Sequence, residues 1–328
     1  MRDFAYARPT RPLEAVELVA RDTDASFMAG GTDLLNLMKD GAENHGLVVD
    51  ISRLPLADVE VTGGRLRIGS MARMADVALH PVVRKSVPVL SQALLAGASP
   101  QIRNMATIGG NLLQRTRCWY FRGADFACNK REPGTGCAAL EGRNRWHAIL
   151  GGGDHCIAVH PSDLAVALRA LDATVHTLGP DGARVISMAD FHREPGDTPH
   201  VENALRHGEL ITAVEVALPA AGTRQRYLKV RDRASFEFAV VSVAAVVHMN
   251  GRRVDSARLA FGGIATRPWR SAELEAELRN GPLTQDTIAR CGELLVRDAR
   301  PRQDNEFKVE LVQRALQDVL GRFSGGSR

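Results

Sequence analysis

Hydrophobic positions along this chain change period several times, and each change marks an element. "PLEAVELVAR", starting at Pro12, has helical spacing, with Leu13, Val16, Leu18 and Val19 as the expected inner face. "SFMAGG" reads as a short buried strand entering a glycine turn. "TDLLNLMKD" then reads as a helix, with Thr32 or Asp33 near its N-terminus. "GLVVDIS" and "RLRIGS" read as strands. "MADVALHPVVRKSVPVLSQALLAG" reads as helices broken at Pro81 and Pro88, because a proline inside a helix removes a hydrogen bond and clashes with the preceding turn.

The pattern then lapses. "SPQIRNMATIGGNLLQ" reads as a loop with a second double glycine, and residues from about 115 to 157 carry no helical or strand period. A long irregular segment inside a compact domain needs something else to organise it. Order resumes at "PSDLAVALRALDATVHTLG", a helix and a strand, and "GELITAVEVALP" is an alternating strand. A boundary is expected near "PAAGTRQ", 219 to 225. Beyond it, "YLKVRDR", "FAVVSVAAVVHM" and "RVDSARLAFGGIA" read as antiparallel strands. "ELEAELRNG", "QDTIARCGELLVRDA" and "FKVELVQRALQDVLGRF" read as helices, and the tail "SGGSR" as disordered. The predicted class is α+β in two domains, about 1 to 220 and 221 to 328.

Composition narrows the function. At 328 residues and a net charge of +4, the chain is long enough for two cores and only mildly basic. Without a dense Lys/Arg block, no nucleic-acid partner is expected. No apolar run reaches membrane-spanning length, and the start has no apolar signal core, so the expected compartment is the cytoplasm. Export to the periplasm with a signal-bearing partner stays open.

Two glycine turns carry the first candidate chemistry. "FMAGGTDLL" places Gly30 and Gly31 between a strand and a helix, and "MATIGGNLL" repeats the device at Gly109 and Gly110. Paired glycines allow positive φ and close approach of backbone N–H groups to an anion. Neither turn is a GxGxxG fingerprint or a phosphate-binding P-loop.

Four of the five cysteines carry the second. Cys118, Cys128, Cys137 and Cys156 are separated by nine, eight and eighteen residues. These are neither zinc-knuckle nor usual ferredoxin spacings, so spacing alone names no metal. Four thiolates match the ligand count of a 4Fe–4S cluster, and they fall in the one segment without regular structure. Arg115, Arg117, Arg122, Lys130 and Arg131 lie around them, as a negatively charged cluster would want. A structural zinc and two disulfides remain as alternatives. His147, His155 and His160 could tune such a centre or serve only structurally. Trp119 and Tyr120 are candidates to shield it from water. Cys291, on an amphipathic helix, reads as a buried small hydrophobe.

The two glycine turns, "AGGTDLLNLMK" and "IRNMATIGGNL", resemble the FAD-binding loops of the flavin (medium) subunit of the xanthine dehydrogenase family of molybdenum hydroxylases. "PSDLAVALRALDA", "YLKVRDRASFEFAVVSVAA" and "FGGIATRP" extend the resemblance over nearly the whole chain. It implies a two-lobed FAD domain of the vanillyl-alcohol oxidase type, followed by a C-terminal domain like that of carbon monoxide dehydrogenase flavoprotein. Met28, Ala29, Gly30, Gly31, Thr32, Asp33 and Leu34 would wrap the FAD pyrophosphate. Thr107, Gly109, Gly110 and Asn111 would form a second wall. Asp163 would accept from the ribose or adenine side, and Lys229 would lie near the flavin ring; "PSD" is also a good helix cap, through Ser162 or Asp163. The cysteine segment is similar to that of the periplasmic aldehyde oxidase type of flavin subunit, which implies one 4Fe–4S cluster on all four cysteines. Implied partners are a large molybdenum-cofactor subunit, a small 2Fe–2S subunit and an external electron acceptor. No acid–base catalytic residue is implied, because the flavin carries the chemistry. A stand-alone FAD oxidoreductase and a structural zinc-binding interaction module are the alternatives.

Overall fold

The computed structural model describes residues 1–279 and 281–324, so the expected disorder of the last residues, 325–328, lies outside the described residues. Eleven strands are described: β1 (Ala5–Ala7), β2 (Ala25–Met28), β3 (Leu47–Asp50), β4 (Val59–Thr62), β5 (Arg65–Gly69), β6 (Thr174–Gly179), β7 (Gly182–Ser187), β8 (Leu210–Ala217), β9 (Arg224–Val230), β10 (Val241–Asn250) and β11 (Arg253–Gly262). They form three sheets. β1, β3 and β2 make a small parallel sheet, with β3 in the middle. β4, β5, β8, β6 and β7 make an antiparallel sheet in that order, and β9, β10 and β11 make another. The chain is thus a mixed helix-and-strand fold with the antiparallel strands of the C-terminal half before its last three helices, as the patterning predicts.

Prolines set the helix starts. Helices Pro12–Ala20, Pro81–Ser86 and Pro88–Ala96 each begin on a proline, where the missing N–H would be unpaired anyway. The inner face of Pro12–Ala20 differs from expectation at one position. Ala15, Val16 and Val19 are buried, but Leu13 is 54% exposed. β8 does not alternate either. Leu210, Ile211, Ala213, Val214 and Val216 are all buried, since this central strand has packed side chains on both faces.

One core is continuous across the two halves. Helix Asp163–Ala170, from the first half, packs with Ala244, Val246 and Ala260 of the second. A separate core fills the C-terminal sheet and its helices Ala272–Leu278, Gln285–Val296 and Phe307–Ser324; Cys291 is buried there, as its amphipathic helix predicts. Residues 115–157 contain only one helical turn, Trp119–Arg122. Among the described residues, no helix is long and apolar enough to cross a membrane.

Candidate cofactor site

Every residue assigned to the cofactor from the sequence lines one cleft of about 450 Å³. Both glycine turns, Met28 to Leu34 and Thr107 to Asn111, form its walls, together with Asp163 and Lys229. This volume is in the range of small-molecule sites. The two turns also touch each other. A Cβ on Gly30 would lie 2.0 Å from the Met105 carbonyl oxygen, so no larger residue fits without moving backbone. Gly31 has φ +69°, which favours glycine.

The turns differ in what they offer a ligand. The second is not the expected loop: Pro100–Arg103 and Ile108–Leu112 are short helices, and Thr107 caps the one that holds Gly109 and Gly110, so its donors are already used. Gly109 N–H donates to the Ser70 carbonyl (2.8 Å), Gly110 N–H to Thr107 Oγ1 (3.3 Å) and Asn111 N–H to the Thr107 carbonyl (2.9 Å). This capped helix is therefore a rigid wall. In the first, among the described residues, no backbone acceptor takes the N–H groups of Gly30, Gly31, Thr32 and Asp33. Four adjacent free donors at a cleft wall are what an anionic group such as a pyrophosphate requires.

Ser162 settles the capping question. Its Oγ accepts from Ala165 N–H (2.9 Å) and donates to Asn111 Oδ1 (2.6 Å). Asp163 is thereby left free to face the cleft. Its carboxylate takes Tyr227 O–H (2.5 Å) and Lys229 Nζ (2.7 Å), both from β9. Lys229 also donates to the Ala96 carbonyl (3.1 Å). Tyr227 escaped sequence reading. Its signal was its place two residues before Lys229, on the same face of a strand. Burial, and then the Asp163 charge, push the Tyr227 hydroxyl well above its usual range, so it stays a donor.

Asp33 plays a part that its position at the start of helix Leu34–Asp40 did not suggest. It makes no cap hydrogen bond. Its carboxylate instead accepts from the Arg115 N–H (2.8 Å) and from the guanidinium groups of Arg117 and Arg122 (2.9 Å each). The first glycine turn is thus fastened to the cysteine-bearing segment. The expected cationic ring around the cysteines is largely committed to other acceptors. Arg115 pairs with Glu43 and Glu202, and Arg131 donates to the carbonyls of Tyr120 and Phe121. Lys130 pairs with Glu202 (2.7 Å) and still favours the thiolate of Cys156.

Cys118, Cys128, Cys137 and Cys156 line one small cavity, beside Phe121 and Ala139. All are free thiols, and Cys128 and Cys137 face each other in an isolated antiparallel bridge. Burial pushes the Cys118 thiol up to about 12 and Cys156 up to about 11, and raises Cys137. Such thiols ionise when a cation enters their cavity. Among the described residues, no three His, Cys, Asp or Glu side chains are arranged to hold a single metal ion. His147 Nε2 is 3.2 Å from Cys118 Sγ, His155 lines the cavity, and His160 lies in a neighbouring one. Trp119 is 55% exposed against Trp146, so it faces solvent rather than sealing the thiols.

Residues 2–221 match the family described as FAD binding domain in molybdopterin dehydrogenase, and residues 226–323 match the carbon monoxide dehydrogenase flavoprotein C-terminal domain. The chain belongs to the FAD-binding subunits of the molybdopterin dehydrogenases. Aldehyde oxidoreductase FAD-binding subunit PaoB of Escherichia coli K12 is 50% identical over 323 residues, 98% of each chain. The medium chain of glyceraldehyde dehydrogenase from Sulfolobus acidocaldarius is 25% identical over 95% of each. In fold, the chain superposes on carbon monoxide dehydrogenase from Hydrogenophaga pseudoflava with TM-score 0.78 at 24% identity, covering 98% of this chain and 96% of that one. This member of the family is therefore the flavin subunit of a molybdenum-dependent oxidoreductase complex.

Proposed function

We propose that this chain is the electron-transfer subunit of an aldehyde-oxidising molybdenum hydroxylase, carrying FAD in the cleft and one 4Fe–4S cluster on Cys118, Cys128, Cys137 and Cys156. In this reading residues 1–220 are a two-lobed FAD domain of the vanillyl-alcohol oxidase type, and 221–328 cover the flavin. The chain receives electrons from a small 2Fe–2S subunit, served by a large molybdenum-cofactor subunit, and delivers them to an external acceptor. The aldehyde class rests on the 50% identical relative.

The observation that carries the reading is the convergence of two separated glycine turns, Asp163 and Lys229 on one cleft, with the four cysteines gathered beside it. The free N–H groups of Gly30 to Asp33 suit the pyrophosphate, and the capped helix Ile108–Leu112 beside them fixes an adjoining wall. Asp163 holds Lys229 in place at the cleft, where a cation favours negative charge on a bound ligand. The flavin, when bound, supplies one- and two-electron redox chemistry, while the protein sets its orientation and surroundings. Four thiols lining one cavity match the ligand number of a 4Fe–4S cluster.

Anaerobic mixing with an aldehyde tests the reading. The flavin absorbance of the whole complex is expected to bleach, and the full chain purified alone to remain oxidised. Aldehyde turnover by the chain alone would return it to the stand-alone oxidoreductases.

A further inference from the structure

A second small cavity adjoins the cysteines, and neither the flavin nor the thiol assignment uses it. Its walls include His160, His192, Lys130, Glu202, Thr116 and Cys156. The two imidazoles lie ring to ring, with centroids 4.0 Å apart and planes inclined by 46°. His192 Nε2 is 3.1 Å from the Leu112 carbonyl oxygen, so Nε2 carries the hydrogen and Nδ1 keeps a lone pair. That Nδ1 and the Nε2 of His160 are both buried without a hydrogen-bond partner. Buried polar groups are rarely left unpaired, and two together at one cavity call for an explanation.

The surroundings keep both rings neutral. His160 faces His192, Lys130 and Arg117; burial and these three hold its protonation well below the usual range. His192 faces Glu202, Arg267 and the Leu112 carbonyl, with Phe191 edge-on; burial brings it down to about 4. Cys156 belongs to the walls of both cavities. Negative charge added among the thiols is therefore separated from the imidazoles by little more than one side chain, in a poorly screened interior.

We propose that the His160–His192 pair is a proton-accepting site coupled to reduction of the centre held by the four cysteines. The inference rests on the 4Fe–4S reading. One electron, from the partner subunit or from a chemical reductant, enters the centre. One proton from solvent adds to an unpaired ring nitrogen, so net charge in the region is unchanged. No bond to the centre forms or breaks.

The test is a redox titration of the intact complex, followed by low-temperature EPR of the cluster at several pH values between about 6 and about 9. Iron and sulfide are counted in each sample. The midpoint is expected to fall as pH rises, by up to a tenfold change in the reduction equilibrium per pH unit, about 59 mV for one electron. His160→Phe and His192→Gln are expected to flatten that slope while keeping iron and sulfide; glutamine retains an N–H for the Leu112 carbonyl. A cluster-containing complex whose midpoint ignores pH overturns the proton site and leaves the cluster reading standing. A slope that survives in both variants also overturns it, by assigning the proton elsewhere. Absence of iron and sulfide overturns both. Should a variant lose its cluster, the wild-type slope alone decides.

Discussion

Asp163 and Lys229 meet at 2.7 Å from opposite halves of the chain, one opening a helix of the first half and the other on a strand of the second. Their side chains are 8% and 3% exposed, so the pair sits at the cleft and inside the core at once. Asp163→Asn leaves the ammonium buried without its counter-charge. Breaking a buried pair from one side costs about 3–5 kcal/mol. The expected outcome is a lower unfolding midpoint in urea, together with a reduced flavin content. Adding Lys229→Met to the same chain recovers part of the stability, because no lone charge remains. An unchanged midpoint in the single variant would show that the pair does not join the halves.

Gly30→Ala tests the contact between the two glycine turns. The added methyl meets the Met105 carbonyl at 2.0 Å and has no flexible side chain to push aside. Overpacking of this kind costs about 1–3 kcal/mol. If it is felt at the cleft, flavin binding weakens by roughly tenfold or more. The ratio of flavin to protein after gel filtration reads this, with circular dichroism to show that the fold persists.

Asp33→Ala removes the carboxylate shared by Arg117 and Arg122 and frees the Arg115 N–H, while Arg122 keeps Asp40 at 3.6 Å. The segment around the cysteines then loses its main tie to the first turn. Trypsin is expected to cut within residues 115–131 faster than in the wild type, and flavin content to fall with it. Cleavage at the wild-type rate would mean that Asp33 is dispensable for ordering this segment.

Lys308 gives a pH prediction. It is fully buried, and its Nζ donates to the carbonyls of His147 (2.9 Å) and Gly263 (2.7 Å). Burial, then the Arg145 charge, lower its pKa to about 7, with Asp232 opposing. In the unfolded chain a lysine titrates near about 10.4. Between these values the unfolded state binds the proton and the folded state does not, so stability rises with pH across the window. Urea midpoints at about pH 7 and about pH 9 are expected to show this rise, and Lys308→Met to lose it.

What the sequence made legible was what residue type dictates locally. Pro12, Pro81 and Pro88 mark helix starts, and Gly30 and Gly31 mark a turn, with Gly31 in the left-handed region. Gly109 and Gly110 do not mark one: they lie inside the short helix Ile108–Leu112, which Thr107 caps. The four clustered cysteines line one cavity, but the irregular segment around them is also held by Asp33, Glu43 and Glu202, which no local pattern reveals. What stayed hidden depends on partners far along the chain. Asp33 reads as a helix-start residue until Arg115, Arg117 and Arg122 are brought to it from more than eighty residues away. Lys308 lies in the first turn of its helix, and only the packing of that helix against the segment around His147 buries it. His192 sits beside His160 through a contact between loops, which no local pattern encodes.

The most direct test of the central assignment is an absorption spectrum of anaerobically purified protein, with iron and acid-labile sulfide counted per flavin. Any 2Fe–2S partner is removed or subtracted first. The account predicts a flavin spectrum with about four irons and about four sulfides per chain, and loss of the iron and sulfide in Cys128→Ser. Flavin without iron or sulfide would contradict it and send the four cysteines back to a zinc or to disulfides.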